Sequence, residues 1–295
     1  MSDLDQWTIA SGAGITALAV ALCRAMEARR PDAVARDQWA ECFVDAGRRA
    51  GPAGELLPAV DADPAGLDPL WASMPTYMGV RTRFFDDYFA EVIAAGIDQV
   101  VLIAAGLDTR AFRLDWQPGT LVLELDQGGV LAFKDEVLAE HGAKPRCDRR
   151  LVHADLRADW PGELRAAGLD PTRPTAWLVE GLLSYLPADA EARLFAEIRA
   201  MSPAGSRIGL ECVPGNERDR VLTSRFATAA DQTPFAVAPG LWQTELRPEP
   251  VDVLEAGGWD ITVSTIAEIG KRYDRPILGV MSEPAAKTML ITGRR

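Results

Sequence analysis

Short, unbroken apolar runs alternate with longer stretches of helical period along most of the chain. "QVVLIAA" (99–105) is rich in β-branched residues and apolar after its first position. A strand buried on both faces reads this way, whereas a half-solvated one alternates. "TLVLELD" (120–126), "RRLVHAD" (149–155), "TAWLVEG" (175–181) and "SRIGLECV" (206–213) give four more strands, and "WDITVST" (259–265) and "KTMLITG" (287–293) a final pair. Between them, "GGVLAFKDEVLAEHG" (128–142) predicts a helix stopping at Gly142, and "DAEARLFAEIRAM" (189–201) one with Leu194, Ile198 and Met201 on one stripe. This alternation predicts an open, mostly parallel α/β sheet with helices on both faces.

Two regions break the rhythm. Residues 1–95 read as an N-terminal helical cap: "GITALAVALC" continues through "RAMEARR", and "YMGVRTRFFDDYFAEVIAAGI" (77–97) ends at a glycine suited to the position after a helix. The Pro-, Gly- and Asp-rich stretch at 51–70 reads as a loop between them. Residues 214–249 form an insertion in a core of 96–213 and 250–295, all within one domain, and carry Phe226, Phe235, Trp242, Arg218, Arg220 and Arg225. A lid over the crevice at the strands' carboxyl ends is one reading of this insertion, and a surface-packed helical hairpin is the other.

Composition narrows the partners. The 295 residues are 48% hydrophobic and 25% charged, with a net charge of −12 and no Lys/Arg run longer than a pair. Such a field repels nucleic acid, so a small-molecule substrate is expected. Cys23, Cys42, Cys147 and Cys212 are scattered, no CxxC occurs, and the histidines are His141 and His153 alone. That pattern predicts reduced thiols, a cytoplasmic protein and no metal. The apolar run 12–23 follows Asp3 and Asp5 without a Lys or Arg, which is wrong for a signal peptide, and it is too short to cross a bilayer.

The candidate chemistry starts at "AAGLDTRAFRL" (104–114). A dinucleotide fingerprint would place glycines at Ala104, Gly106 and Thr109, and only the middle one is present. The glycine pattern of many methyltransferases, falling on Ala104, Gly106 and Asp108, fares no better. The strand tips say more. Asp126, followed by Gln127, ends the second strand where an acid reaches a ribose diol. Glu124 shares its parity but lies deeper. Asp155 ends the third strand, placed to accept from an adenine amino group, with Leu156 to pack on the ring; Glu180 ends the fourth. Acids often finish strands and cap the next helix, but three in register point to a bound nucleoside.

"AAGLDTRAFRL", "LELDQGGVLAFK", "HADLRADWP" and "VEGLLSYLP", with "GITALAVALCRAMEARRPDA" and "VRTRFFDDYF" upstream, together resemble the bacterial branch of the leucine carboxyl methyltransferase-like family. The resemblance runs from about residue 6 to near the C-terminus. It implies a Rossmann-like sheet with an antiparallel last strand and S-adenosyl-L-methionine as cofactor. It further implies ribose contact by Asp126, adenine contact by Asp155 and Leu156, a place for Glu180 near the methionine moiety, and an arginine, Arg81 or Arg83, on the cofactor carboxylate. Being two apart on a helix, these arginines point different ways, and Arg81 is preferred. Ala104 stands where many relatives have glycine. A ligand without phosphates needs fewer close backbone approaches, so the missing glycines favour this cofactor over a nicotinamide dinucleotide.

Methyl transfer needs proximity and alignment more than acid–base work. A carboxylate acceptor is already ionised, whereas a phenol benefits from a base. The base candidates are few: His141 late in a helix, His153 in a strand and read as a core histidine, and Tyr185 or Glu180. This favours O-methylation of a metabolite carboxylate, with a phenolic acceptor, a non-catalytic cofactor-binding protein and a nicotinamide oxidoreductase as the competing readings. Tyr185, Arg225 and Trp242 are the expected substrate contacts, and one of Arg218, Arg220, Arg225, Lys271, Arg272 and Arg275 is expected to enter the pocket as a counter-charge.

Overall fold

A seven-stranded sheet frames the molecule. The computed structural model describes residues 13–51, 57–214, 241–243 and 245–295. The strands are β1 (Gln99–Ile103), β2 (Leu121–Asp126), β3 (Asp148–His153), β4 (Ala176–Val179), β5 (Arg207–Cys212), β6 (Asp260–Thr265) and β7 (Met289–Arg294). They lie in the order β3-β2-β1-β4-β5-β7-β6. β1 to β5 pair in parallel, and β7 runs antiparallel to both β5 and β6. The expected fold, a mostly parallel sheet with an antiparallel last strand, is the one observed.

The helices are α1 (Ala13–Ala28), α2 (Ala40–Ala50), α3 (Pro69–Ala94), α4 (Arg110–Arg113), α5 (Gly128–Glu140), α6 (Trp160–Ala166), α7 (Ala188–Ala200), α8 (Pro250–Ala256), α9 (Ile266–Arg272) and α10 (Ser282–Lys287). They cover both faces of the sheet. Val100 and Leu102 of β1 pack into a core shared with α1, α2 and α3, while Val101 and Ile103 face an opposite core containing Trp160 and Leu194. Burial on both sides is why this strand shows no alternation in sequence. β3, at the sheet edge, buries only Val152 fully and exposes Asp148, Arg150 and His153.

α1 buries Leu18, Leu22, Cys23 and Met26 and packs on α2 and α3. Among the described residues no helix is long and apolar enough to cross a membrane. α3 begins at Pro69, ahead of the expected start near Tyr77. Asp68 caps it, its side chain accepting from the Leu70 N–H at 2.8 Å, and Pro69 fits the first turn, where no N–H is needed. Pro75 lies inside the helix and, as a helix breaker by type, hid this first stretch from the sequence pattern. The helix ends as expected: Gly96 takes a left-handed φ of 71°, and the Ile97 N–H closes onto the Val92 carbonyl at 3.2 Å.

Strand order reverses between β1 and β4, so the loops leaving their carboxyl ends diverge and open a crevice. α1 and α3 supply a wall to this crevice.

Candidate active site

The crevice is a cavity of about 540 Å³ at the carboxyl ends of the strands. That is within the range of small-molecule sites. Asp126 and Asp155 line it together, as do Gln127, Leu156 and Glu180. Ala104 and Gly106 contribute the loop after β1, and Arg81 reaches it from α3. Tyr185 and Trp242 line it as well. Arg218, Arg220, Arg225, Phe226 and Phe235 lie outside the described residues.

The loop after β1 turns on two left-handed residues, Ala104 (φ 53°) and Gly106 (φ 46°). The Gly106 N–H donates to Asp126 Oδ2 at 2.6 Å, and the Gln127 N–H donates to Oδ1 at 2.6 Å. One carboxylate thus ties two adjacent strand tips together, and each oxygen has lone-pair capacity left for a ligand hydroxyl. Burial pushes the Asp126 carboxyl above its usual range, against the pull of those two N–H groups. Left-handed backbone costs an L-residue about 1 kcal/mol. Ala104→Gly is therefore expected to leave stability unchanged or raise it by up to ~1 kcal/mol, despite glycine's greater unfolded-state freedom. Urea unfolding checks this, and a loss above ~1 kcal/mol would contradict it.

A row of ion pairs starts on the cavity wall at Arg81, Glu180, Glu211 and Asp108 and runs back into the protein. Arg81 Nε lies 2.9 Å from Glu180 Oε1, and Arg81 Nη1 donates to Glu211 Oε2 at 2.9 Å. Arg110 Nη1 donates to the second Glu180 oxygen at 2.8 Å, and its Nε to Asp86 at 2.8 Å. Arg113 closes the row on Asp86 at 2.7 Å, and Asp108 pairs with Arg110. Burial, the largest single influence, would raise the Asp108 carboxyl, but the charges of Arg110, Lys134 and Arg113 and the Arg110 N–H together outweigh it and hold the group at about 2. Arg83, the rival of Arg81, is exposed and paired with Asp87 at 2.7 Å. Glu124 sits deeper, as expected, fully buried between Lys134 (2.8 Å) and Arg149 (2.7 Å).

Asp155 is at the rim. Its oxygens accept from Arg157 Nε at 2.9 Å and from the Arg157 N–H at 2.8 Å, and this pairing lowers its pKa.

One expectation needs correction, and the other described basic candidates lie away from the cavity. His153 is not a core histidine: β3 is an edge strand, the ring is exposed, and it does not line the cavity. His141 caps α5, its Nδ1 2.8 Å from the Val137 carbonyl oxygen, and is likewise outside. Lys271 and Arg272 are exposed in the last turn of α9, and Arg275 is spent on Asp32 at 2.7 Å. None of the three enters the cavity. Among the described residues no cluster of three or more His, Cys, Asp or Glu is arranged to hold a metal.

Sequence reading missed Arg24, Met74, Met78 and Glu211, all on the cavity wall. Arg24 follows Val20 by one turn of α1, and Met74, Met78 and Arg81 share one face of α3. That second stripe was legible only once the helix was begun at Pro69.

The family model for leucine carboxyl methyltransferase matches residues 17–199. The chain belongs to the leucine carboxyl methyltransferase family. A Saccharopolyspora erythraea relative is 42% identical over 295 residues, covering all of both chains, and one from Rhodococcus jostii is 45% identical over 280 residues, covering 94% of this chain and 92% of the relative. Both are provisionally named as S-adenosyl-L-methionine-dependent methyltransferases. The fold matches a DUF574 family protein from Streptomyces avermitilis (TM-score 0.53, 14% identity, 94% of this chain and 97% of that one). It also matches a protein from Thermobifida fusca provisionally described as a methyltransferase (TM-score 0.51, 17% identity, 99% and 96%). This member of the leucine carboxyl methyltransferase family is an S-adenosylmethionine-dependent methyltransferase.

Proposed function

We propose that the enzyme methyl-esterifies the carboxylate of a small-molecule metabolite. The observation that carries this is the lack of a free base. Among the described residues no histidine or lysine lines the cavity; Asp108, Asp155, Glu180 and Glu211 on its wall are each paired with a guanidinium, and the remaining carboxylate, Asp126, accepts from the Gly106 and Gln127 N–H groups and is proposed to hold the ribose. A carboxylate acceptor asks for no deprotonation.

The donor set suits the cofactor. Counted formally, Glu211, Glu180, Asp108 and Asp86 face Arg81, Arg110 and Arg113, leaving one negative charge in excess. A ligand bearing an ammonium, a sulfonium and one carboxylate is net positive and complements the net charge of that row. In this reading Asp126 and Gln127 hold the ribose, and Asp155 and Leu156 the adenine. Ala104 and Gly106 bring the loop backbone close, and Glu180 and Arg81 hold the methionine end. Arg81 Nη2 makes no hydrogen bond among the described residues and is available to a carboxylate. Tyr185 and Trp242 border the acceptor. When bound, the cofactor supplies a methyl group on a positively charged sulfur; the acceptor oxygen forms the C–O bond as the C–S pair returns to sulfur, and no proton moves. The protein's part is to align and to exclude water.

The test is transfer of a radiolabelled methyl group to pooled acids and phenols, followed by mild alkali. The expected label is alkali-labile, as in a methyl ester, and His153→Ala keeps full activity. Alkali-stable label overturns the carboxylate reading in favour of a phenol ether. Cofactor binding with no acceptor labelled favours a binding role without turnover.

A further inference from the structure

The cavity has two unlike halves. The loop after β1 and the tips of β2 and β3 bring carboxylates and backbone N–H groups. The rest of the lining comes from α1, α3, the segment after β4, the end of β5 and residues 241–243, and it is mostly apolar, with Val20, Met74, Met78, Leu183, Val213 and Trp242 among its members. Met74 and Met78 stand one turn apart on the same face of α3.

Several of the polar groups there are already engaged, while Ser184 and Gln243 make no side-chain hydrogen bond among the described residues. The Tyr185 hydroxyl lies 3.4 Å from Thr16 Oγ1. Glu211 is held by Arg81. Arg24 sits 3.3 Å from Asp37 and donates to the Leu107 carbonyl at 2.8 Å. An acceptor carrying several polar or charged groups would find few partners there to replace the water it sheds.

We propose that this half is the acceptor site and that the acceptor is a monocarboxylic acid with an uncharged, apolar body, Met74 and Met78 being the side chains that set its fit. The inference rests on the carboxylate reading above and adds the substrate class to it. Thioether side chains are unbranched and adaptable, so the wall selects for apolarity and length more than for one shape. The same surface strips water from the single carboxylate, which leaves the oxygen a stronger nucleophile.

The experiment measures kcat/KM for straight-chain acids from acetic to dodecanoic, alongside hydroxylated and dicarboxylic acids of matching length and apolar 4-alkylphenols. It uses the wild-type enzyme, Met74→Gln, Met78→Gln, and the apolar controls Met74→Leu and Met78→Leu. Calorimetry with S-adenosylhomocysteine accompanies each variant. The expected result is a rise of about fourfold per added methylene until the site is full, the ratio that ~0.8 kcal/mol per buried CH₂ gives. The Gln variants lose about tenfold on the longest acids, the Leu variants hold the slope, and S-adenosylhomocysteine affinity is unchanged throughout. A flat length profile, or faster turnover of the hydroxylated or dicarboxylic acids, overturns the proposal while the carboxylate reading stands. Methylation of apolar phenols with no acid accepted overturns the acid itself, and the carboxylate reading falls with it.

Discussion

Asp126→Ala is expected to weaken S-adenosylhomocysteine binding by two to three orders of magnitude in titration calorimetry. In the proposed cofactor pose this carboxylate accepts both ribose hydroxyls, and hydrogen bonds to a charged group contribute about 1.5–3 kcal/mol each. Two at the low end give ~3–4 kcal/mol, or 100- to 1,000-fold. The substitution also removes the acceptor for the Gly106 and Gln127 N–H groups, so the loop after β1 loses one of its ties to β2 and keeps the Ala105 N–H to Leu125 carbonyl bond. Asp126→Asn keeps the shape and one acceptor oxygen and should fall between wild type and Ala. A change below about fivefold for Asp126→Ala, with the protein still folded, would remove Asp126 from the cofactor site.

Lys134→Met should have the largest effect on stability. Lys134 and Glu124 are both fully buried, and Lys134 Nζ donates to Glu124 Oε2 at 2.8 Å. Removing one partner of a buried pair costs about 3–5 kcal/mol, because the other charge is left without compensation. Arg149 also donates to that oxygen, at 2.7 Å, so the low end applies. About 3 kcal/mol corresponds to a Tm fall of roughly 6–12 °C in a chain of this class. The double substitution Glu124→Leu/Lys134→Met should recover most of the loss, since Arg149 keeps Asp135 at 2.7 Å. Scanning calorimetry of the three proteins checks both statements. A single-variant loss under ~1 kcal/mol would mean that Arg149 alone suffices.

What the sequence made legible follows from what is local. β1 and β4 could be read because each is buried on both faces and so forms an unbroken apolar run. The acids at the tips could be ranked because parallel pairing keeps register: Ile103 lies beside Leu125 and Val179, and Asp126 beside His153. Tertiary facts stayed hidden. Glu211 reads as the inside of a strand, and its meaning comes from Arg81, 130 residues earlier. His153 looked like a core residue because nothing in a single sequence marks β3 as the outermost strand of the sheet. The stripe of Met74 and Met78 was lost to one proline, Pro75, inside their helix.

The row from Glu211 to Arg113 draws its members from both sides of β1. Arg81 and Asp86 precede the first strand; Asp108, Arg110, Arg113, Glu180 and Glu211 follow it. Chimaeras that exchange everything ahead of β1 between family members would therefore bring guanidiniums and carboxylates from different parents face to face. A crossover placed before Pro69 keeps all seven in one parent, and that is where recombined versions of this enzyme should survive.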